Sequence, residues 1–402
     1  MDKLLEKLVL GVFFQKIFKN PFLVMDNILS YFVRKILTKT TKVDRNKILI
    51  STFNGEYTCN PRAIADEILR RNLPYKIVWA TKIRCNYANF PKGITCVLQN
   101  SLEFFKQAIS SKIWIANGIT MTYNNLEKKK SQILIQTWHG AIGIKRFDTN
   151  KNKTWIKKIK KDGKITDYCI SNSKFETDLY KNTFWQKAKI LEFGHARNDV
   201  LFKKNSYNEI NKMIRSRFNI PMDVKLALYA PTFRDNYELD CYGIDYIRLN
   251  EALTKKFGGK WVILTRLHSR MKYKQKLMNI NVPNFVINVS EYEDIQDIMA
   301  IADVGITDYS SWICEFILTH KPGFLFATDI NTYDNERGFL FPLSDLPYTL
   351  AENNDQLEQN ILNFNQALFD KKCDEFLAQK GSVDDGKAAE RIVDMLEVLL
   401  KS

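Results

Sequence analysis

Apolar runs of strand length alternate along this chain with segments of helical spacing, and that alternation limits the fold more than any other feature. The runs are Ile48-Leu49-Ile50, Ile77-Val78-Trp79, Ile113-Trp114-Ile115, Ile133-Leu134-Ile135 and Tyr168-Cys169-Ile170, with helical patterns over 61–71 and 102–110 among them. A short continuous apolar run suits a strand buried on both faces, and strand–helix alternation suits a parallel sheet covered by helices. A second set follows: Leu226-Ala227-Leu228-Tyr229, Trp261-Val262-Ile263-Leu264, Phe285-Val286-Ile287, Val304-Gly305-Ile306 and Phe324-Leu325-Phe326, with helical patterns over 246–257 and 295–301. At 402 residues the chain is too long for one ordinary core. The expected fold class is α/β, with two doubly wound domains at 46–197 and 198–380. Residues 1–45 precede them, and 381–402 form a C-terminal helix that packs back on the body.

Chemistry is expected where strands end, because open α/β sheets bind ligands outside the carboxyl ends of their strands. Val304-Gly305-Ile306 runs into Thr307-Asp308-Tyr309-Ser310-Ser311-Trp312, where a helical pattern over 311–320 begins. A Ser or Asp there can cap the helix, and the free N–H groups and dipole at that end suit a phosphate. A plain cap and a diphosphate site fit the pattern alike. Three of the four histidines also follow strands: His139 in Thr137-Trp138-His139-Gly140, His195 after Ile190-Leu191, and His268 in Arg266-Leu267-His268. A strand-end imidazole can act as a base at neutral pH or donate to a phosphate, or it can be purely structural. His320 precedes Lys321-Pro322-Gly323 and reads as a helix end. Ala230-Pro231-Thr232-Phe233-Arg234 follows another strand, and Arg234 could grip a phosphate in bidentate fashion or pair with Asp235.

Composition narrows the partners. A net charge of +15 points to a phosphate-bearing partner: nucleic acid, an anionic membrane or a nucleotide-activated substrate. No nucleic-acid motif occurs, and the dense basic stretch 145–164, with nine Lys or Arg, is not interleaved with exposed-looking aromatics. That stretch reads as solvated surface or as a face for anionic lipid or acceptor. Dinucleotide, Walker, nucleophile-elbow and D-x-D motifs are all absent, so dehydrogenase, NTPase, hydrolase and metal-dependent transferase readings are disfavoured. The seven cysteines stand singly, which argues against zinc and a disulfide framework and for a reducing cytosol. No apolar run reaches the roughly 18 to 20 residues that span a bilayer. Residues 1–45 interleave aliphatic and aromatic residues with Lys3, Lys7, Lys16, Lys19, Arg34, Lys35, Lys39 and Lys42. Such a pattern fits helices in a membrane interface, or a helix pair on the protein's own surface.

Taken in order, Thr137-Trp138-His139-Gly140 with Lys145 and Asp148, Gly194 with Arg197-Asn198-Asp199, Ala230-Pro231-Thr232-Phe233-Arg234, Arg266-Leu267-His268, Ile306-Thr307-Asp308-Tyr309-Ser310-Ser311, and Lys321-Pro322 with Asp329, Tyr333 and Arg337-Gly338-Phe339 form one ordered set. The set resembles the CDP-glycerol glycerophosphotransferase family of teichoic acid primases and polymerases, over about 133–339. Ile142, Ala196 and Glu315 stand where that family usually has proline, proline and aspartate.

The resemblance implies a GT-B fold, with a cleft between two Rossmann-like domains. It implies transfer of glycerol phosphate from CDP-glycerol to a hydroxyl of a lipid-linked or polymeric saccharide or polyol-phosphate acceptor, releasing CMP, in teichoic acid-like or capsular polymer synthesis. His139 would be the base, and His268 would contact the donor diphosphate. Thr232, Arg234, Arg266, Thr307, Asp308, Ser310, Ser311, Glu315 and Arg337 would line the donor site. Trp138, Gly140, Lys145, Asp148 and Arg197 would lie on the acceptor side. No metal and no cofactor beyond the donor substrate is expected, and the enzyme would sit peripherally on the cytoplasmic face of the membrane. A GT-B glycosyltransferase using a nucleotide sugar and a CDP-ribitol-type transferase are the alternatives.

Overall fold

A computed structural model describes residues 35–82, 85–123, 126–140, 143–144, 146, 152–232, 243–267, 282–330 and 338–401. The expected interface helices at 1–45 therefore lie mostly outside the described residues. Residues 35–40 are helical, and a strand already begins at Asp44.

Seven parallel strands build the first lobe: β1 (Asp44–Ser51), β2 (Lys76–Thr81), β3 (Ile94–Leu98), β4 (Ser111–Ala116), β5 (Ile133–Gln136), β6 (Tyr168–Ser171) and β7 (Lys189–Glu192). Their order is β3-β2-β1-β4-β5-β6-β7. Helices α1 (Cys59–Arg70), α2 (Leu102–Ser110), α3 (Lys153–Ile165) and α4 (Lys174–Asn182) connect them. Ile48 and Ile50 point to one face and Leu49 to the other, so the continuous run feeds two cores, as a sheet covered on both sides requires.

A 3-10 turn, Ala196–Leu201, and helix α5 (Lys204–Phe218) lead into the second lobe. Its strands are β8 (Val224–Tyr229), β9 (Lys260–Thr265), β10 (Val286–Asn288), β11 (Val304–Thr307), β12 (Gly323–Phe326) and β13 (Thr349–Ala351), in the order β10-β9-β8-β11-β12-β13, again all parallel. Helices α6 (Tyr246–Phe257), α7 (Ile295–Ile301), α8 (Trp312–Phe316), α9 (Asn354–Leu362), α10 (Gln366–Lys380) and α11 (Ala388–Lys401) follow. Both sheets reverse direction once, between β1 and β4 and between β8 and β11. Those switch points are where doubly wound sheets open a crevice.

The spacing missed β3 and β13, which are short edge strands whose apolar residues are interrupted by Thr95 and Thr349. It also missed α10, whose buried residues Phe369, Cys373, Phe376 and Lys380 serve the second lobe's core. The helix expected over 311–320 is shorter: α8 passes into a 3-10 turn, Ile317–Thr319, and His320 closes it in a left-handed conformation (φ 54°). His320 Nδ1 then lies 3.3 Å from Asp370 Oδ1, a surface contact.

The final helix returns to the first lobe. Ala388, Ala389, Ile392, Val393, Leu396 and Leu400 are buried in the core that holds Ile48, Ile50, Ile64 and Ile68. Each large side chain buried this way contributes roughly 1.5–3 kcal/mol. Asp199 receives the helix: its carboxylate accepts from the N–H groups of Ala388 (3.0 Å) and Ala389 (2.9 Å). Asp384, just before, accepts from the His195 N–H at 2.7 Å and from Asn172 and Asn198. His195 is fully buried with Nε2 3.0 Å from Glu176, so this strand-end histidine is structural.

The lobes touch along their strand ends. Arg62 of α1 pairs with Asp294 (3.2 Å) and Asp297 (2.8 Å) at the start of α7. Ile144 and Arg146, past His139, exchange backbone hydrogen bonds with Leu340 and Gly338, and Ile144 is buried in the second lobe's core.

Candidate active site in the interlobe cleft

At the first switch point, β1 delivers Phe53 and β4 delivers Asn117. The Phe53 N–H donates to Asn117 Oδ1 at 2.9 Å, and the Lys82 ammonium donates to the Phe53 carbonyl at 2.7 Å. Strand β5 ends next door in the turn Thr137-Trp138-His139-Gly140. His139 Nδ1 lies 2.5 Å from the carbonyl oxygen of Asn117. A carbonyl only accepts, so Nδ1 carries the proton and the neutral ring keeps its lone pair on Nε2.

The ring sits between two aromatics, with centroids 4.9 Å from Phe53 and 4.3 Å from Trp138. His139 is exposed at the end of β5, and Phe53 is 47% exposed beside it. The groups packed around the imidazole push its pKa down to about 4. The Asn117 bond acts the other way, and the nearby Arg197 charge lowers it further. At neutral pH this imidazole is an unprotonated base.

The turn that carries it is held under strain. Trp138 has φ 48°, a left-handed conformation that a bulky residue rarely adopts. Its indole is packed edge-on against Trp185 at 5.0 Å, and the Trp138 backbone N–H donates to Gln136 Oε1 at 3.0 Å. Gln136 in turn donates to Asp162 of α3 at 3.1 Å. A Cβ at Gly140 would sit 3.2 Å from the Trp138 ring, so a larger residue there would crowd the indole. Trp138, expected on the acceptor side, is 8% exposed and packs against the His139 ring.

Three further residues named by the resemblance have partners within the protein. Arg197 and Glu315, assigned to acceptor and donor, face each other across the lobes at 2.5 Å, both nearly buried. Glu315 also accepts from Gln296 at 2.7 Å. Its difference from the family's usual aspartate therefore bears on a lobe contact. Arg266, assigned to the donor, directs its guanidinium at backbone carbonyls of Val289 (3.3 Å) and Tyr292 (2.5 Å), fixing the loop between β10 and α7.

The second switch point joins Thr232 to Asp308: the Thr232 N–H donates to Asp308 Oδ1 at 2.8 Å. The same oxygen accepts from the Tyr309 N–H, and the Thr307 hydroxyl donates to the Ala230 carbonyl. Asp308 thus ties the ends of β8 and β11 together rather than capping α8. Ser311 occupies the N-cap position but makes no side-chain capping bond, and both Ser310 and Ser311 are half-buried. His268, Arg234, Arg337, Lys145 and Asp148 lie outside the described residues. Among the described residues, no group of three or more His, Cys, Asp or Glu could hold a metal ion.

Phe53, Asn60 and Asn117 escaped the sequence reading. None belongs to a motif, and only the position after β1 or β4 could have singled them out.

The family model described as CDP-glycerol:poly(glycerophosphate) glycerophosphotransferase matches residues 32–398. The chain is 31% identical over 396 residues to a teichoic acid poly(glycerol phosphate) polymerase of Staphylococcus epidermidis, covering 92% of this chain and 53% of that protein. It is 31% identical over 388 residues to a teichoic acid glycerol-phosphate transferase of Staphylococcus aureus, covering 90% of this chain and 95% of that protein. The chain thus spans about half the length of the poly(glycerol phosphate) polymerases of S. epidermidis and Bacillus subtilis strain 168. A solved structure of a histidine variant of the wall teichoic acid polymerase TagF matches with a TM-score of 0.79 at 29% identity, over 92% of this chain and 93% of that one. With the two-lobed fold and the Trp-His-Gly turn in its cleft, the chain belongs to the CDP-glycerol:poly(glycerophosphate) glycerophosphotransferase family.

Proposed function

We propose that the chain transfers glycerol phosphate from CDP-glycerol to a hydroxyl of a teichoic acid-type acceptor. The observation that carries this is the His139 tautomer: Nδ1–H held by Asn117, Nε2 unprotonated, at the mouth of the cleft. The names of the relatives support the donor, and one TagF structure was soaked with CDPG. His139 Nε2 takes the proton of the acceptor hydroxyl as its oxygen bonds to the glycerol-bearing phosphorus. The bond from that phosphorus to CMP breaks, and CMP leaves. The second lobe's switch point, with Thr232, Thr307, Asp308, Ser310 and Ser311, is the donor side of this reading. His268, Arg234 and Arg337 join it there by family resemblance. Fixed donors aimed at the transferred phosphate lower the barrier by stabilising its developing charge.

A peripheral membrane position is part of the same reading. Lys153, Lys157, Lys160, Lys161 and Lys164 of α3 are exposed, and such a row attracts anionic lipid. Among the described residues no helix is long and apolar enough to cross a membrane. Vesicle flotation with and without anionic lipid tests this part separately.

A donor panel decides the chemistry. CDP-glycerol, CDP-ribitol and UDP- and GDP-sugars are each offered with a saccharide acceptor mixture, and nucleotide release and product mass are read. CMP release with a glycerol phosphate mass increment supports the proposal. UDP or GDP release would establish the glycosyltransferase alternative instead.

A further inference from the structure

We propose that Arg197 is a positioning residue that couples the donor lobe to the base-bearing turn, acting through Glu315 on one side and the His139 peptide on the other. The inference rests on the reading of His139 as the base.

Three consecutive carbonyls of the strained turn are gripped from one place. Asn60 Nδ2 donates to the carbonyls of Thr137 (3.1 Å) and Trp138 (3.2 Å). Arg197 Nη1 donates to the carbonyl of His139 at 2.8 Å. The two clamps are themselves joined, since the Arg197 N–H donates to Asn60 Oδ1 at 3.0 Å. A left-handed Trp persists only where the surroundings over-determine it, and these bonds supply that determination.

The other arm of the same guanidinium crosses the cleft. Arg197 Nη2 donates to Glu315 Oε1 at 2.5 Å, and Glu315 Oε2 is held by Gln296 of α7. Glu315 stands one helical turn after Ser311, at the end of the segment assigned to the donor phosphates. A shift of that segment moves Glu315, then the rigid guanidinium fork, then the peptide that aims the imidazole. Arginine is suited to this because its donors are fixed in one plane; a lysine could serve only one of the two partners well. A buried ion pair costs desolvation and adds little net stability. Its presence here is better explained by the geometry that it imposes on both lobes. With Arg197 only 8% exposed, most of its guanidinium is committed to these protein partners.

The test uses the full chain carrying Arg197→Lys or Glu315→Asp, both of which keep the charges. Folding is checked by circular dichroism, and His139 is followed by 15N-histidine NMR, assigned with His139→Gln. Expected is a fall in kcat on the order of tenfold to a hundredfold, since small misplacements of a reacting group cost that much. CDP-glycerol Kd should stay within about twofold, because the donor-contacting groups are untouched. The His139 titration should move up in pH as the loosened turn admits water, and the acid limb of the rate profile should move with it. In wild type, adding CMP should shift the His139 resonance; in the variants that response should shrink at least about twofold, as differential coupling requires. Folded variants with wild-type kcat, or with lower kcat but an unmoved His139 titration and an intact CMP response, overturn the coupling. If wild type releases no CMP from CDP-glycerol, the functional proposal fails. The His139 titration and its response to CMP then still judge the coupling.

Discussion

His139 and Asn117 come from adjacent strands, yet the imidazole Nδ1 of one lies 2.5 Å from the carbonyl oxygen of the other. That single bond sets which ring nitrogen is free, and the groups packed around the ring set when it is free. With the pKa pushed down to about 4, the lone pair on Nε2 is available above that pH and is lost as pH falls through it. The acid limb of kcat/KM should therefore lie near pH 4 rather than near an ordinary imidazole's 6.5. His139→Ala should cost on the order of 10² to 10⁴ in kcat while CDP-glycerol binding, read by calorimetry, survives. Near-normal turnover in that variant would remove His139 from the chemistry.

Phe53 covers one face of the ring and is itself half open to solvent. Phe53→Ala should admit water and weaken the packing that depresses the pKa. The imidazole pKa should then rise toward its ordinary value, carrying the acid limb upward with it. NMR titration of His139 reads this directly. An unchanged value would mean that the rest of the cleft, and not Phe53, keeps the ring dry.

Asp199 holds the N-terminus of α11 through two backbone N–H groups. Asp199→Ala should cost roughly 0.5–2 kcal/mol in urea unfolding, the usual range for a lost cap. Hydrogen exchange should rise first over 388–401, because that helix depends on the cap for its docking against β1 and α1. Uniform exchange changes across both lobes would count against a local role.

Asp162 is fully buried beneath the base-bearing turn and has its pKa pushed up to about 6 by burial. Its folded pKa exceeds the unfolded 3.8, so its contribution to stability is full below pH 3.8 and is lost as pH rises through 6. A shift of that size corresponds to about 3 kcal/mol, taken as an order of magnitude. Asp162→Asn should gain on wild type by that order between pH 4 and 8. A stability difference that stays flat over this range would show that the carboxyl does not titrate in place.

The local rhythm of the chain reports the sheets because a strand buried on both faces needs neighbouring apolar residues, and neighbours are what a sequence displays. Ile48 to Ile50 and Leu226 to Tyr229 became strands for that reason, and His139 stands at a strand end where the pattern placed it. Partners are another matter. Arg197 meets Glu315 from 118 positions away, and Asn60 reaches Trp138 from 78. No spacing rule links such pairs, so the grip of Arg197 and Glu315 on each other could not be read from the sequence. The amino-acid sequence by itself determined two parallel sheets and the histidine at the end of β5. Only the folded chain decided which nitrogen of that histidine is free, because the Asn117 carbonyl and the Phe53 ring meet it only once β1, β4 and β5 lie side by side.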